Sequence, residues 1–377
     1  MKGKNAIYPL SADPIHNGHI YNIETAVRTG LFDKIYVAIG GNTGKTPLFS
    51  AAERVYLAEK AIGPLGFDNV FVESFDGLLG HYAFERNASI IIRGSRRGFD
   101  FEYEQVLAEF NRKYGLTTFV IPSAQDKTQI SSSFLKEVVK SGSLTHQYTH
   151  PAVKQALEER LQKVSLIGVT GSMGSGKSTF CQELEKRGGE YGLNIKHIDL
   201  DKRLHKLYNE GATANPLLYE AMKQAFGEQV CQSERINRKA FSQIVWGNPE
   251  ARAQLSRILA VPFTVEFEKA LREEEDIVLM DAAYFIEYSI LDWVNYNAIV
   301  VGCSEEERRK RVMQRDNIDL KDFNRRISAQ IPADKLRYEI RRQQKAVGHG
   351  FYHEFDSEKP DYDQLLTRLK KEFPLLK

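Results

Sequence analysis

Short apolar runs alternate with segments whose apolar residues recur every three or four positions. The pattern predicts strands at NAIYPL (5–10), KIYVAIGG (34–41), NVFVESF (69–75), ASIIIRG (88–94) and TTFVIPS (117–123). Helical spacing lies between them, as in SAAERVYLAEKAI (50–62) and FEYEQVLAEFNRKYG (101–115). Strands that alternate with helices pair in parallel, so the expectation is an α/β sheet covered by helices. HPAVKQALEERLQK (150–163) sets Val153, Leu157 and Leu161 on one helical face with charges opposite, a helix that would close the first domain. The pattern then restarts with VSLIGVT (164–170), NIKHIDL (194–200), DIVLMDAA (276–283) and AIVVGCS (298–304). A strand that begins afresh at mid-chain predicts two domains, 1–162 and 163–377. From Asp201 to about Glu275, and again from Glu305 to Lys345, the second half is helical and polar, as a substrate lobe and a lid would be. Nine arginines fall between Arg308 and Arg342.

Composition narrows the classes. With 377 residues, 42% of them hydrophobic, the chain can bury two cores. Its 52 basic and 50 acidic residues leave a net charge of +2, so no bulk excess points to nucleic acid or an anionic membrane. Phosphate binding must rest on local patches. No run approaches the roughly 18 apolar residues of a membrane helix, and the start, MKGKNAIYPL, lacks the apolar segment of a leader peptide. Cys181, Cys231 and Cys303 are odd in number and widely spaced, without CxxC or a histidine at zinc-site spacing. A cytoplasmic protein with reduced thiols, and with neither nucleic-acid nor membrane partners, is expected.

Two stretches carry chemistry. In SADPIHNGH (11–19), the first strand runs into a turn and then a helix, which places His16 and His19 at a helix N-terminus. Free N–H groups and the positive dipole end attract anions there, and Gly18 lets a phosphate approach the backbone. A metal, a proton, a phosphate and a plain surface turn are all open to such a pair, although HxxH alone does not complete a zinc site. In GSMGSGKS (171–178) the pattern GxxxxGK[ST] follows an apolar strand and precedes a helix, as a phosphate-binding loop requires. Its N–H groups would cradle a β-phosphate, Lys177 would reach β and γ oxygens, and Ser178 would ligate magnesium. Asp199 and Asp201 stand at the carboxyl end of the next strand, where parallel sheets bind ligands, and one of them would accept a hydroxyl proton.

AIYPLSADPIHNGH resembles the opening of the HxGH nucleotidyltransferases. The later blocks GKTPLF (44–49), FDGLL (75–79), IIRGSRRGFDFEYE (91–104) and ISSSFLKEV (130–138) follow the order of the phosphopantetheine adenylyltransferases over about 150 residues. The resemblance implies a Rossmann-like nucleotidyltransferase sheet that transfers adenylyl from ATP to 4′-phosphopantetheine, with release of pyrophosphate. It implies His19 at the α-phosphate with Ser11, Ala12 and the weaker His16 nearby, and Lys45 and Arg93 on the acceptor phosphate. Gly94, Ser95, Arg96 and Glu104 would lie along ATP, Ser131, Ser132 and Ser133 at its outer phosphates, and Leu79 beside the pantetheine arm. A homo-oligomer formed through this domain is a further expectation.

The second half resembles dephospho-CoA kinase in NIKHIDLDKRLHKL, in INRKAFSQIVWGNPEARAQLSRI (236–258), in VLMDAAYFIE with Asp281 and Glu287, and in the lid RRKRVMQRD (308–316). The implied fold is a P-loop kinase parallel sheet with helical lobe and lid. ATP would be held by Gly171, Gly174, Ser175, Gly176, Lys177, Ser178 and Thr179, dephospho-CoA by Asp199 and Asp201, and the γ-phosphate by Arg315, with Mg2+ at Ser178. Departures fall on the acceptor side: Val261-Pro262 replaces His-Pro, and AAYFIE replaces Pro-Leu-Leu-Phe-Glu. Two alternatives therefore stand beside a dephospho-CoA kinase: a kinase of another small acceptor, and a non-catalytic lobe that binds ATP or CoA.

Overall fold

A computed structural model of the chain describes residues 4–41, 46–95, 112–122, 124, 127, 129–237, 240–241, 244, 248–272, 276–282, 285–286, 289–328 and 330–373. It divides into two units: 1–141 with 145–157 and 346–349, and 142–144 with 158–345 and 350–377.

In the first unit β1 (Lys4–Leu10), β2 (Phe32–Gly40), β3 (Val70–Phe75), β4 (Ala88–Ser95) and β5 (Thr117–Pro122) form one sheet in the order β3-β2-β1-β4-β5. All its pairings are parallel. Between the strands lie α1 (Asn17–Arg28), α2 (Ala51–Ile62) and α3 (Leu79–Glu85), followed by α4 (Ser132–Lys140) and α5 (Pro151–Leu161). The apolar runs fill the centre: Ile7, Ala38 and Ile91 are fully buried in three adjacent strands. Strand order reverses between β1 and β4, which opens a crevice at their carboxyl ends. The predicted helix 101–115 lies almost wholly outside the described residues. α5 departs from the expected charged face, because Lys154 and Glu158 are both buried.

In the second unit β6 (Val164–Thr170) is buried along its whole length, as a central parallel strand covered on both faces must be. With β7 (Ile195–Asp199), β10 (Asp276–Asp281), β11 (Ala298–Gly302) and β12 (Tyr352–Asp356) it forms a second parallel sheet, ordered β12-β11-β6-β10-β7. The pattern did not predict β12: it is a polar edge strand with one core residue, Phe355. A two-residue antiparallel pair, β8 (Cys231–Gln232) and β9 (Arg235–Ile236), lies in the helical lobe. The helices are α6 (Lys177–Gly188), α7 (Leu200–Ala214), α8 (Pro216–Phe226), α9 (Pro249–Leu271), α10 (Glu305–Asp316), α11 (Leu320–Ser328), α12 (Ala333–Val347) and α13 (Tyr362–Glu372). Among the described residues no helix is long and apolar enough to cross a membrane.

Candidate active sites

The turn after β1 is held by three charged side chains that the sequence patterns did not single out. Asp13 accepts the N–H groups of Leu48 and Phe49, each at 2.9 Å, and pairs with Lys136 of α4. Burial alone would raise its carboxyl, but Lys136 and the two N–H groups hold it below the usual range. Arg54, buried in α2, donates to the carbonyls of Ser11 at 2.5 Å and Gly40 at 2.8 Å. The signal in the sequence was an arginine inside the apolar stripe of a helix. Fixed in this way, the turn carries Ala12 in the left-handed region and a cis Asp13–Pro14 bond.

The two histidines then cap α1 reciprocally. His16 Nδ1 accepts from Gly18 N at 3.1 Å, and His19 Nδ1 accepts from His16 N at 3.3 Å. Their rings stack with centroids 3.7 Å apart. A ring whose Nδ1 accepts carries its proton on Nε2; the Nε2–H of His16 is buried, which leaves that of His19 as the one the half-buried ring can turn to an anion. Among the described residues no Cys, Asp or Glu joins the pair in a group of three metal ligands.

His16 and His19 line a cavity at the carboxyl ends of β1 and β4 together with Tyr8, Asn22, Arg93 and Lys127. Asn22 and Lys127 were not foreseen. Asn22 Nδ2 donates to Tyr8 OH at 2.8 Å, and a Cβ on Gly94, which also lines the cavity, would stand 2.1 Å from that Nδ2. Gly94 therefore makes room for Asn22. Ser95 closes β4. Ser131 Oγ accepts from Phe134 N at 3.0 Å as the cap of α4, Ser132 Oγ donates to Pro14 O at 2.8 Å, and Ser133 is exposed. The serines thus tie a second helix N-terminus to the turn. Leu79 opens α3 and packs on the core cluster that includes Tyr82; it is not among the residues that line this cavity. Lys45, Arg96 and Glu104, and Glu287 of the second half, lie outside the described residues.

In the second unit the loop after β6 is shaped by glycine. Gly171, Gly174 and Gly176 all have positive φ, and a Cβ at Gly171 would lie 2.2 Å from the Val301 carbonyl oxygen. Gly176 caps α6 and Thr179 is exposed one turn on. Lys177 Nζ is folded back on the loop, donating to the Gly171 carbonyl at 3.0 Å, and the Ser175 hydroxyl is buried without a partner. Ser178 Oγ donates to Asp281 Oδ2 at 2.9 Å, and Asp281 is buried at the end of β10. A hydroxyl and a carboxylate are the hard oxygen donors that magnesium takes, so this pair fits that ion. Asp199 caps α7, accepting from Lys202 N at 2.9 Å and pairing with Lys202 Nζ, while Asp201 sits in the first turn. Arg315 is mostly exposed and gripped twice by Asp316, at 2.8 and 3.2 Å. The arginines beside the glycine loop are instead Arg308 and Arg311, whose atoms a Cβ on Gly174 or Gly176 would meet at 3.1 and 3.2 Å.

Comparison with known proteins adds identity to this geometry. Residues 7–138 match the family model for cytidylyltransferase-like proteins, and residues 165–339 that for dephospho-CoA kinase. Among solved structures, a Thermus thermophilus protein is 24% identical, with 55% of this chain and 96% of that one covered and a TM-score of 0.42. A dephospho-CoA kinase from Campylobacter jejuni is 20% identical, with 57% and 98% covered and a TM-score of 0.31. A Plasmodium falciparum nicotinic acid mononucleotide adenylyltransferase complexed with NaAD is 15% identical, with 41% and 94% covered and a TM-score of 0.32. These structural likenesses are loose, and the functional weight falls on the two family matches.

Proposed function

Because the chain joins a cytidylyltransferase-like unit to a dephospho-CoA kinase-like one, as a bifunctional coenzyme A synthase would, we propose that it carries out the last two steps of coenzyme A synthesis. ATP gives its adenylyl group to 4′-phosphopantetheine, leaving dephospho-CoA and pyrophosphate, and a second ATP phosphorylates the ribose 3′-hydroxyl. The observation that carries this is the succession of the two families on one chain, because the product of the first reaction is the acceptor of the second.

The residues divide the work by chemistry. In the first reaction no covalent nucleophile is needed; the substrates must be aligned and the growing charge at the α-phosphorus met by a fixed donor. The Nε2–H of His19 is such a donor, held by its bond to the His16 amide. Arg93 offers a planar fork to the acceptor phosphate, Lys45 is assigned to the same phosphate as a point cation by the resemblance, and Ser131, Ser132 and Ser133 open a helix toward the outer phosphates. In the second reaction Lys177 exchanges the loop carbonyls for phosphate oxygens, and Asp201, in the first turn of α7, takes the hydroxyl proton, while Asp199 caps that helix. Ser178 and Asp281 would hold magnesium, which when bound would supply neutralising charge at the outer phosphates. Arg315, paired through Nε and Nη2 with Asp316, keeps further N–H donors for the γ-phosphate, and Arg308 and Arg311 stand at the loop to share that role.

Incubating the full chain with 4′-phosphopantetheine, ATP and Mg2+ and weighing the products by mass spectrometry tests the proposal. Dephospho-CoA should appear first and CoA after it, with one pyrophosphate and one ADP for each CoA. A chain that releases no pyrophosphate contradicts the first assignment.

A further inference from the structure

Cys181, His197 and Asp281 are far apart in sequence and belong to α6, β7 and β10. In the second unit their ligand atoms all lie within 4.8 Å of one another. Cys181 and Asp281 are buried, and the His197 side chain keeps only 8% of its exposure. His197 Nε2 has no hydrogen-bond partner, although it faces Asp281 Oδ2 at 3.6 Å. A buried imidazole nitrogen without a partner calls for an explanation, since burial of an unpaired polar atom costs about 1–3 kcal/mol.

We propose that Cys181, His197 and Asp281 form an inhibitory site for a thiophilic divalent cation such as Zn2+, next to the phosphate-binding loop. One thiolate, one imidazole and one carboxylate make a set that zinc accepts and magnesium does not, with a water as fourth ligand. Zinc bonds of about 2.0–2.3 Å require the three donors to close by about an ångström, within the reach of side-chain rotation. As the metal–sulfur bond forms, the thiol proton leaves to solvent.

The site's consequence follows from one shared atom. Asp281 Oδ2 is the oxygen that accepts from Ser178 Oγ at 2.9 Å and also the oxygen that faces His197. Zinc drawn in by sulfur and imidazole takes that oxygen, and magnesium at Ser178 then loses its carboxylate. The two ions compete for one residue. This part rests on the kinase reading of the second unit, whereas binding itself does not.

Co2+ and Zn2+ titrated into the full chain separate the two parts. One equivalent of Co2+ should give a thiolate-to-metal charge-transfer band that Zn2+ abolishes. Cys181→Ala should remove the band, and His197→Gln should weaken binding by at least the roughly 10- to 100-fold that loss of even an outer partner costs. Cys181→Ser provides a second, near-isosteric removal of sulfur, and Cys231→Ala and Cys303→Ala should keep the band. In the phosphorylation of dephospho-CoA, Zn2+ should inhibit the parent chain less as Mg2+ is raised, and should spare Cys181→Ala. Absence of a band, or a band that survives both Cys181 substitutions, overturns the site. A normal band without inhibition leaves the site standing and overturns its link to phosphoryl transfer.

Discussion

The loop after β1 and the loop after β6 both bring a helix N-terminus to the carboxyl edge of a parallel sheet, but different atoms hold them there. The first is built by side chains: Asp13, Arg54 and Lys136 pin the turn, and His16 and His19 cap α1 with the same nitrogens that fix their tautomers. The second is built by backbone: three glycines with positive φ wrap the space in front of α6, and its lysine rests on loop carbonyls. A loop of side chains concentrates its chemistry in one or two donors with fixed protons. A loop of glycines spreads it over many N–H groups and adds one mobile cation.

The largest expected effect breaks the comparison at its most concentrated points. Lys177→Ala should lower phosphorylation at least about 100-fold while adenylyl transfer continues and dephospho-CoA accumulates. His19→Ala should cut pyrophosphate release by about 100-fold, since a preorganised donor is lost, and should leave phosphorylation of added dephospho-CoA at its parent rate. If either substitution depressed both activities equally, the division of labour between the two loops would be wrong.

Smaller effects concern how each loop is held. Gly171→Ala pushes a Cβ to 2.2 Å from a carbonyl oxygen that cannot yield easily, and should destabilise the second unit by about 1–3 kcal/mol, read as a lowered Tm. His16→Ala should cost about 1 kcal/mol through loss of its half of the α1 cap, with less effect on pyrophosphate release than His19→Ala. A further effect is set by pH in the first unit. Burial first, then the charges of His150, Lys60 and Lys154, lower His349 from an ordinary 6.5 to about 4, and burial likewise lowers His150. Groups that stay neutral when folded but charge when unfolded stabilise fully above about pH 6.5, and that stability drains away as pH falls toward 4. Tm should therefore drop by several degrees over that window, and by less in His349→Gln. An equal drop in the variant would reject this account of acid sensitivity.

How far the sequence carried differs between the loops for the same reason. Glycine spacing in GSMGSGKS is a backbone requirement, so GxxxxGK[ST] announced its turn, its helix and its lysine directly. The strands were equally plain, because a buried parallel strand is a continuous apolar run; β12 escaped because it is a polar edge. The side-chain loop announced only its histidines. Asp13, Arg54 and Lys136 come from segments separated by tens of residues, and only the fold shows that they meet. Asn22 and Lys127 were hidden in the same way, as was the meeting of Cys181, His197 and Asp281, which share no spacing rule. Arg315 was singled out by the resemblance of RRKRVMQRD to a kinase lid; its pairing with Asp316, and the approach of Arg308 and Arg311 to the glycines, needed side-chain geometry.

The central claim is that the second unit consumes what the first one makes. Dephospho-CoA and ATP given to the parent chain, without 4′-phosphopantetheine, put that claim to a single mass measurement. The account predicts a product heavier by one phosphoryl group, carried on the ribose 3′-oxygen, and ADP in equal amount. Dephospho-CoA recovered unchanged while ATP stays intact would contradict it.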